Sequence, residues 1–144
     1  MSMPPFDLTD PAQAGTYVVG ANDLDVLAEG ARRHGLLLRR IDFRDCHDKN
    51  ALLRALAQSL DFPLDPGHSW DTLAASLADL SWLPARGYVL MLERSETLQL
   101  AAEDDFDAAL DIMDDTSRRW AEQRKPFWTF LGLSEPEQPL PPDA

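Results

Sequence analysis

Three stretches carry residue types that could do catalytic or metal chemistry, and each falls short of what that chemistry needs. "DCHD" (45–48) sets Cys46 beside His47, the types that a thiol nucleophile and its base would use. Neighbours in sequence point in different directions, however, and no Cys-x-x-Cys pair or second histidine at ligand spacing accompanies them. "GHSWD" (67–71) has the outline of a nucleophile elbow, yet Asp71 stands where the second glycine is required and no strong strand leads into it. The acids of "EDDFDAALDIMDD" (103–115) lack the glycine and the ligand ladder of a calcium loop. His34, His47 and His68 are the only histidines, and no visible motif places one beside a nucleophile. A hydrolase or metal enzyme using Cys46, His47 or His68 is therefore the least supported reading: no enzyme, metal or cofactor is expected.

What remains is the chemistry of charge. In "PGHSWDTL" (66–73) a Pro-Gly pair breaks regular structure, Ser69 is a good N-cap, and Trp70, Leu73, Leu77 and Leu80 follow at helical spacing. That spacing buries one face and leaves Asp71 on the flank or front of the other. An acid in a first turn gains about 0.3–1 kcal/mol from the helix dipole, so Asp71 has a purely local reason to be there. The acids of 103–115 read either as a solvated helix face or as a negative field that speeds association with a cationic protein. Trp82, in "LSWLP", either seals the core or anchors an interface.

The elements that must hold these residues alternate along the chain. "TYVVG" (16–20) reads as a short strand, Asp23 to His34 as a helix with Leu24, Leu27, Ala28 and Ala31 inward, and "LLLRRIDF" (36–43) as a second strand. Asp48 caps a helix whose stripe is Leu52, Leu53, Leu56 and Leu60, stopped by Phe62-Pro63, and the Trp70 helix follows. "YVLML" (88–92) is a continuous apolar run of the kind buried on both faces, and should lie mid-sheet. Residues 103–122 form a long helix with Phe106, Leu110, Met113 and Trp120 on one side, its acids early and Arg118 and Arg119 late. "FWTFL" (127–131) is the last strand. The class is α/β, a small parallel sheet packed by crossover helices. Residues 1–14, with Pro4, Pro5 and Pro11, and the Pro-rich 132–144 are expected as disordered tails around one domain, 15–131.

A chain of 144 residues with 44% hydrophobic content suits one soluble domain. The net charge of -12, from 25 acids against 13 Lys and Arg, argues against nucleic-acid or anionic-membrane binding and favours a basic partner. The N-terminal residues lack a signal-peptide pattern and no segment reaches membrane-span length, so a cytoplasmic protein is expected. The single Cys46 excludes an internal disulfide.

The stretch "DFPLDPGHSWDTLAASLADLSWLPARGYVLMLE" (61–93) resembles the barstar family, small bacterial inhibitors of barnase-type ribonucleases, in its Phe-Pro, its glycine turn, and its Asp-Leu-Ser-Trp-Leu-Pro segment before an apolar strand. "RRIDFRDCHDKNALLRALAQSLDFP" (39–63) is similar to the family's first strand and helix, and "PFWTFL" to its last strand, so the resemblance covers roughly 36–131. It implies a three-stranded parallel sheet, to which "TYVVG" adds a possible edge strand. It also implies a monomeric immunity or antitoxin-like protein that occludes the active site of a basic ribonuclease with acids. Carried over residue by residue, the partner surface comprises the turn at Asp65, Gly67, His68 and Ser69, then Asp71, Ala75, Asp79 and Trp82, with Asp115 in the late helix. Asp71 stands where one family aspartate stands. The departures are Ala75, where the family usually has a second and dominant aspartate, Asp65 and Pro66 in place of turn aromatics, and Ser69 in place of an asparagine. Asp79 and Asp115 are the acids placed to compensate. The alternative is a barstar-fold interaction module that has lost nuclease binding.

Overall fold

The structure is a computed structural model that describes residues 7–63 and 69–133. Four strands, β1 (Thr16–Gly20), β2 (Leu37–Asp42), β3 (Tyr88–Glu93) and β4 (Phe127–Leu133), form one sheet in the order β1-β4-β3-β2, with every neighbouring pair parallel. The "YVLML" run lies mid-sheet as its composition requires, and "TYVVG" is the added edge strand, pairing Thr16 with Thr129 and Gly20 with Leu133. Parallel strands need crossovers, and these use both faces.

α1 (Ala21–Arg33) carries the chain from β1 to β2 across one face. Leu24, Leu27, Ala28 and Ala31 pack there on Val89, Met91, Trp128 and Phe130. On the other face lie α2 (Lys49–Ser59), α3 (Trp70–Asp79), the short α4 (Glu96–Ala101) and the long α5 (Glu103–Glu122). Their apolar stripes meet Tyr88, Leu90, Leu92, Phe127 and Leu131, the alternate residues of the same two strands. α4 escapes a periodicity reading because six residues do not complete two turns, but Leu98 is fully buried. Residues 7–14 correct the expectation of a tail that reaches residue 14. Leu8 is buried against α1 and its carbonyl accepts the Trp128 indole N–H at 2.9 Å. A single leucine among prolines has no periodicity to announce this.

Two more tryptophans join elements in the same way. The Trp120 Nε1 donates to the Leu77 carbonyl at 2.9 Å, tying α5 to the end of α3, and the Trp82 Nε1 donates to the Leu60 carbonyl at 2.8 Å, tying the loop after α3 to α2. At Gly87 three segments of the chain meet so closely that an added Cβ would lie 2.7 Å from Pro126 and 2.9 Å from Leu36.

Leu77 is fully buried and Ala75 exposed on the opposite side of the same helix. Leu77→Ala is expected to cost about 2–5 kcal/mol in chemical denaturation. Trp120→Phe, which strands the Leu77 carbonyl, should cost about 1–3 kcal/mol, and Ala75→Ser should stay within about 0.5 kcal/mol of the parent.

Candidate functional site

α3 begins where its sequence says it should. Ser69 is extended (φ -103°, ψ 121°) and its hydroxyl accepts the Thr72 N–H at 3.2 Å, so the serine is a cap in the structure as in the sequence. Leu73 and Leu77 are fully buried, which turns Asp71, Ala75 and Asp79 outward as one exposed stripe at i, i+4 and i+8. At 1.5 Å per residue the two carboxylates are about 12 Å apart along the helix axis, with the Ala75 methyl between them. Among the described residues no cation lies within ion-pair distance of either acid, and Asp79 accepts a hydrogen bond from the Ser81 hydroxyl at 3.1 Å.

The two ends of the stripe differ in their local energetics. Asp71 sits in the first turn, where the helix dipole favours a negative charge; Asp79 sits in the last, where it opposes one by about 0.3–1 kcal/mol. Beside the helix start, the Lys49 ammonium lies 5.0 Å from the centre of the half-buried Trp70 ring. Lys49 belongs to the first turn of α2, 21 residues away in sequence, so no local pattern could have placed it at the edge of this stripe.

The other candidates are distributed unevenly. Asp65, Gly67 and His68, with Pro66, lie outside the described residues. Trp82 is half-buried, its indole N–H is engaged with Leu60, and its ring meets Phe62 edge-on at 5.6 Å, so it packs against the core beside α2. Asp115 is half-exposed on α5 and already engaged within its own helix: one oxygen accepts from the Arg119 Nε at 2.9 Å, and Arg118 lies 3.7 Å from the other. The Arg119 hydrogen bond, followed by the charges of Arg119 and Arg118, holds its carboxyl below the ordinary value. Asp115 therefore differs from Asp71 and Asp79 in having cations of its own.

Cys46 is buried, with its thiol 3.6 Å from the Ala51 carbonyl. Burial, then the charges of Asp45, Asp42 and Asp48, push its pKa up, the reverse of what activates a nucleophile. His47 is exposed. Among the described residues no three of His, Cys, Asp or Glu come together in a metal-binding group, and no helix is long and apolar enough to cross a membrane. What the arrangement offers chemically is a helix face carrying two carboxylates that no described cation neutralises.

Comparison with known proteins gives one family. Residues 36–132 match the family model described as Barstar (barnase inhibitor). No curated protein matches the chain.

Two outcomes are expected from this geometry. Ser69→Ala should destabilise the fold by about 1 kcal/mol in denaturant titration, since the Thr72 N–H loses its acceptor. The Asp115 carboxyl, followed by NMR, should titrate below the usual aspartate value of about 3.9 and move back toward it in Arg119→Gln. Because the folded pKa is lowered, its contribution to stability is present above the unfolded pKa and is lost as pH falls through the folded one.

Proposed function

We propose that this chain, which belongs to the Barstar (barnase inhibitor) family, is a protein inhibitor that binds a basic ribonuclease and occludes its active site with the acids of α3. The observation that carries this is the outward stripe of Asp71 and Asp79, unpaired among the described residues, on a helix that lies inside the matched region. A ribonuclease must hold RNA phosphates with cationic groups, and two fixed carboxylates on a stiff helix are complementary to such a cleft. The chain does no chemistry in this scheme. Binding removes the cleft from substrate, and the net charge of -12 speeds the encounter through long-range attraction that salt weakens. Asp79 supports the same reading from the opposite direction: its own helix end disfavours it, and a partner cation would offset that cost.

A second reading is favoured by Ala75. A methyl at the centre of the stripe cannot pair with an arginine, and a barstar-fold interaction module that has lost nuclease binding would show this pattern. Both readings are proposed for a cytoplasmic protein.

Binding to a purified barnase-type ribonuclease and to basic ribonucleases encoded next to the gene, measured by calorimetry at low and moderate salt, separates the two. The inhibitor reading expects salt-weakened binding, with Asp71→Ala and Asp79→Ala each losing about 1–3 kcal/mol. Salt-insensitive or absent binding to all of them would sink it. If the parent binds none of them and Ala75→Asp restores inhibition of the barnase-type enzyme, the scaffold is intact and only the contact has changed, which is the second reading.

A further inference from the structure

Of the thirteen Lys and Arg residues, seven arginines have a carboxylate within ion-pair distance, as expected where acids outnumber bases almost two to one. Both lysines lie over tryptophan rings. Arg33, Arg54, Arg86 and Arg124 have neither kind of partner among the described residues, and all four are exposed. Arg54 stands on α2. The other three share one place in the fold, just before the first residues of β2, β3 and β4.

The backbone brings those three strand starts together. The Leu37 N–H donates to the Gly87 carbonyl and the Tyr88 N–H to the Pro126 carbonyl, both at 2.9 Å, so the parallel register of β2, β3 and β4 continues back toward Gly35, Arg86 and Lys125. Three adjacent strands span only about 10 Å. Arg33 and His34 end α1 on one side of this edge. Arg124 and Lys125 follow α5 on the other, with the Lys125 ammonium 5.6 Å from the Trp120 ring centre. Arg124 is also held at φ +61°, a left-handed position where glycine or asparagine would be easier to accommodate. Helix-end preferences account for cations at the ends of α1 and α5, but not for Arg86, which belongs to no helix.

We propose that this edge, Arg33, Arg86, Arg124 and Lys125, is a docking face for a short acidic peptide segment of a partner protein, separate from the α3 stripe and independent of its reading. Length is decided by screening. At physiological salt charges interact over about 8 Å, so a short acidic segment seated on the edge meets the local cations, whereas a long polyanion runs on past them into the field of a protein with net charge -12. A nucleic acid is disfavoured for that reason, and because the large apolar side chains most exposed in the described structure are aliphatic, Val18, Val26 and Leu100, with no aromatic among them for a base to stack on.

The test is an amide chemical-shift titration of the full chain with a hexaglutamate peptide at about 50 mM salt, where exposed charges are only partly screened. Shifts should be confined to residues 33–35, 85–87, 124 and 125. Arg86→Gln and Arg124→Gln, both surface changes, should each weaken binding about two- to fivefold, and more salt should weaken it further. Absence of shifts, shifts centred elsewhere, affinities unchanged in both variants, or tighter binding of a hexauridylate would overturn the proposal, the last by making the face a nucleic-acid site.

Discussion

β3 has no face that can meet water. Tyr88, Val89, Leu90, Met91 and Leu92 are consecutive and all buried, and alternation sends Tyr88, Leu90 and Leu92 to one side and Val89 and Met91 to the other. A strand of that composition is stable only between two covering layers. The rest of the architecture answers this demand: α2, α3, α4 and α5 cover one face, and α1 with the segment around Leu8 covers the other. The family match begins at residue 36, so it covers the first layer and strands β2, β3 and β4, while β1, α1 and the Leu8 segment that complete the second layer precede it. This explains why an N-terminal strand and helix accompany the family core here. Without them Trp128 and Phe130 would present an aromatic surface.

The covering layers are positioned by tryptophan as much as by aliphatic packing. Trp120 and Trp128 bury their rings and Trp82 half-buries its own, and each directs the indole N–H to a carbonyl of a distant segment. An apolar contact tolerates sliding, but a hydrogen bond from a fixed ring does not. The bond from Trp120 to Leu77 is the one that matters for the candidate site, because it sets the end of α3 against α5. It thereby reinforces the orientation of α3 that the buried Leu73 and Leu77 set. The charges follow the same frame, with acids on the exposed stripe of α3 and arginines, unpaired among the described residues, at the edge where β2, β3 and β4 begin. In a parallel sheet all strands start at one edge, so residues far apart in sequence collect there.

What could be read without the fold was whatever repeats locally. The 3.6-residue stripe of Leu73 and Leu77 set the buried face of α3 and with it the outward position of Asp71; Ser69 announced the cap; the unbroken run at 88–92 announced a central strand; and the alternation of strands and helices announced the α/β class. Residues 61–93 also carried the resemblance that the family match bears out. Each of these signals is written within a few turns of chain, where backbone geometry alone relates one residue to the next.

Tertiary structure decided everything that depends on which elements become neighbours. Two acids of the same type, Asp79 and Asp115, could not be ranked from the sequence, yet Asp115 is engaged by Arg118 and Arg119 while Asp79 has no described cation beside it. Trp82 could seal or anchor, and the fold packs it against Leu60 and Phe62 with part of its ring left exposed. Lys49 reached the edge of the α3 stripe through the packing of α2, Leu8 became core through Trp128, and Arg33, Arg86 and Arg124 became one surface only because three strands begin side by side. The sequence determined the faces of its elements; the packing of those faces determined which of the described charges are neutralised within the fold and which stand alone on its surface.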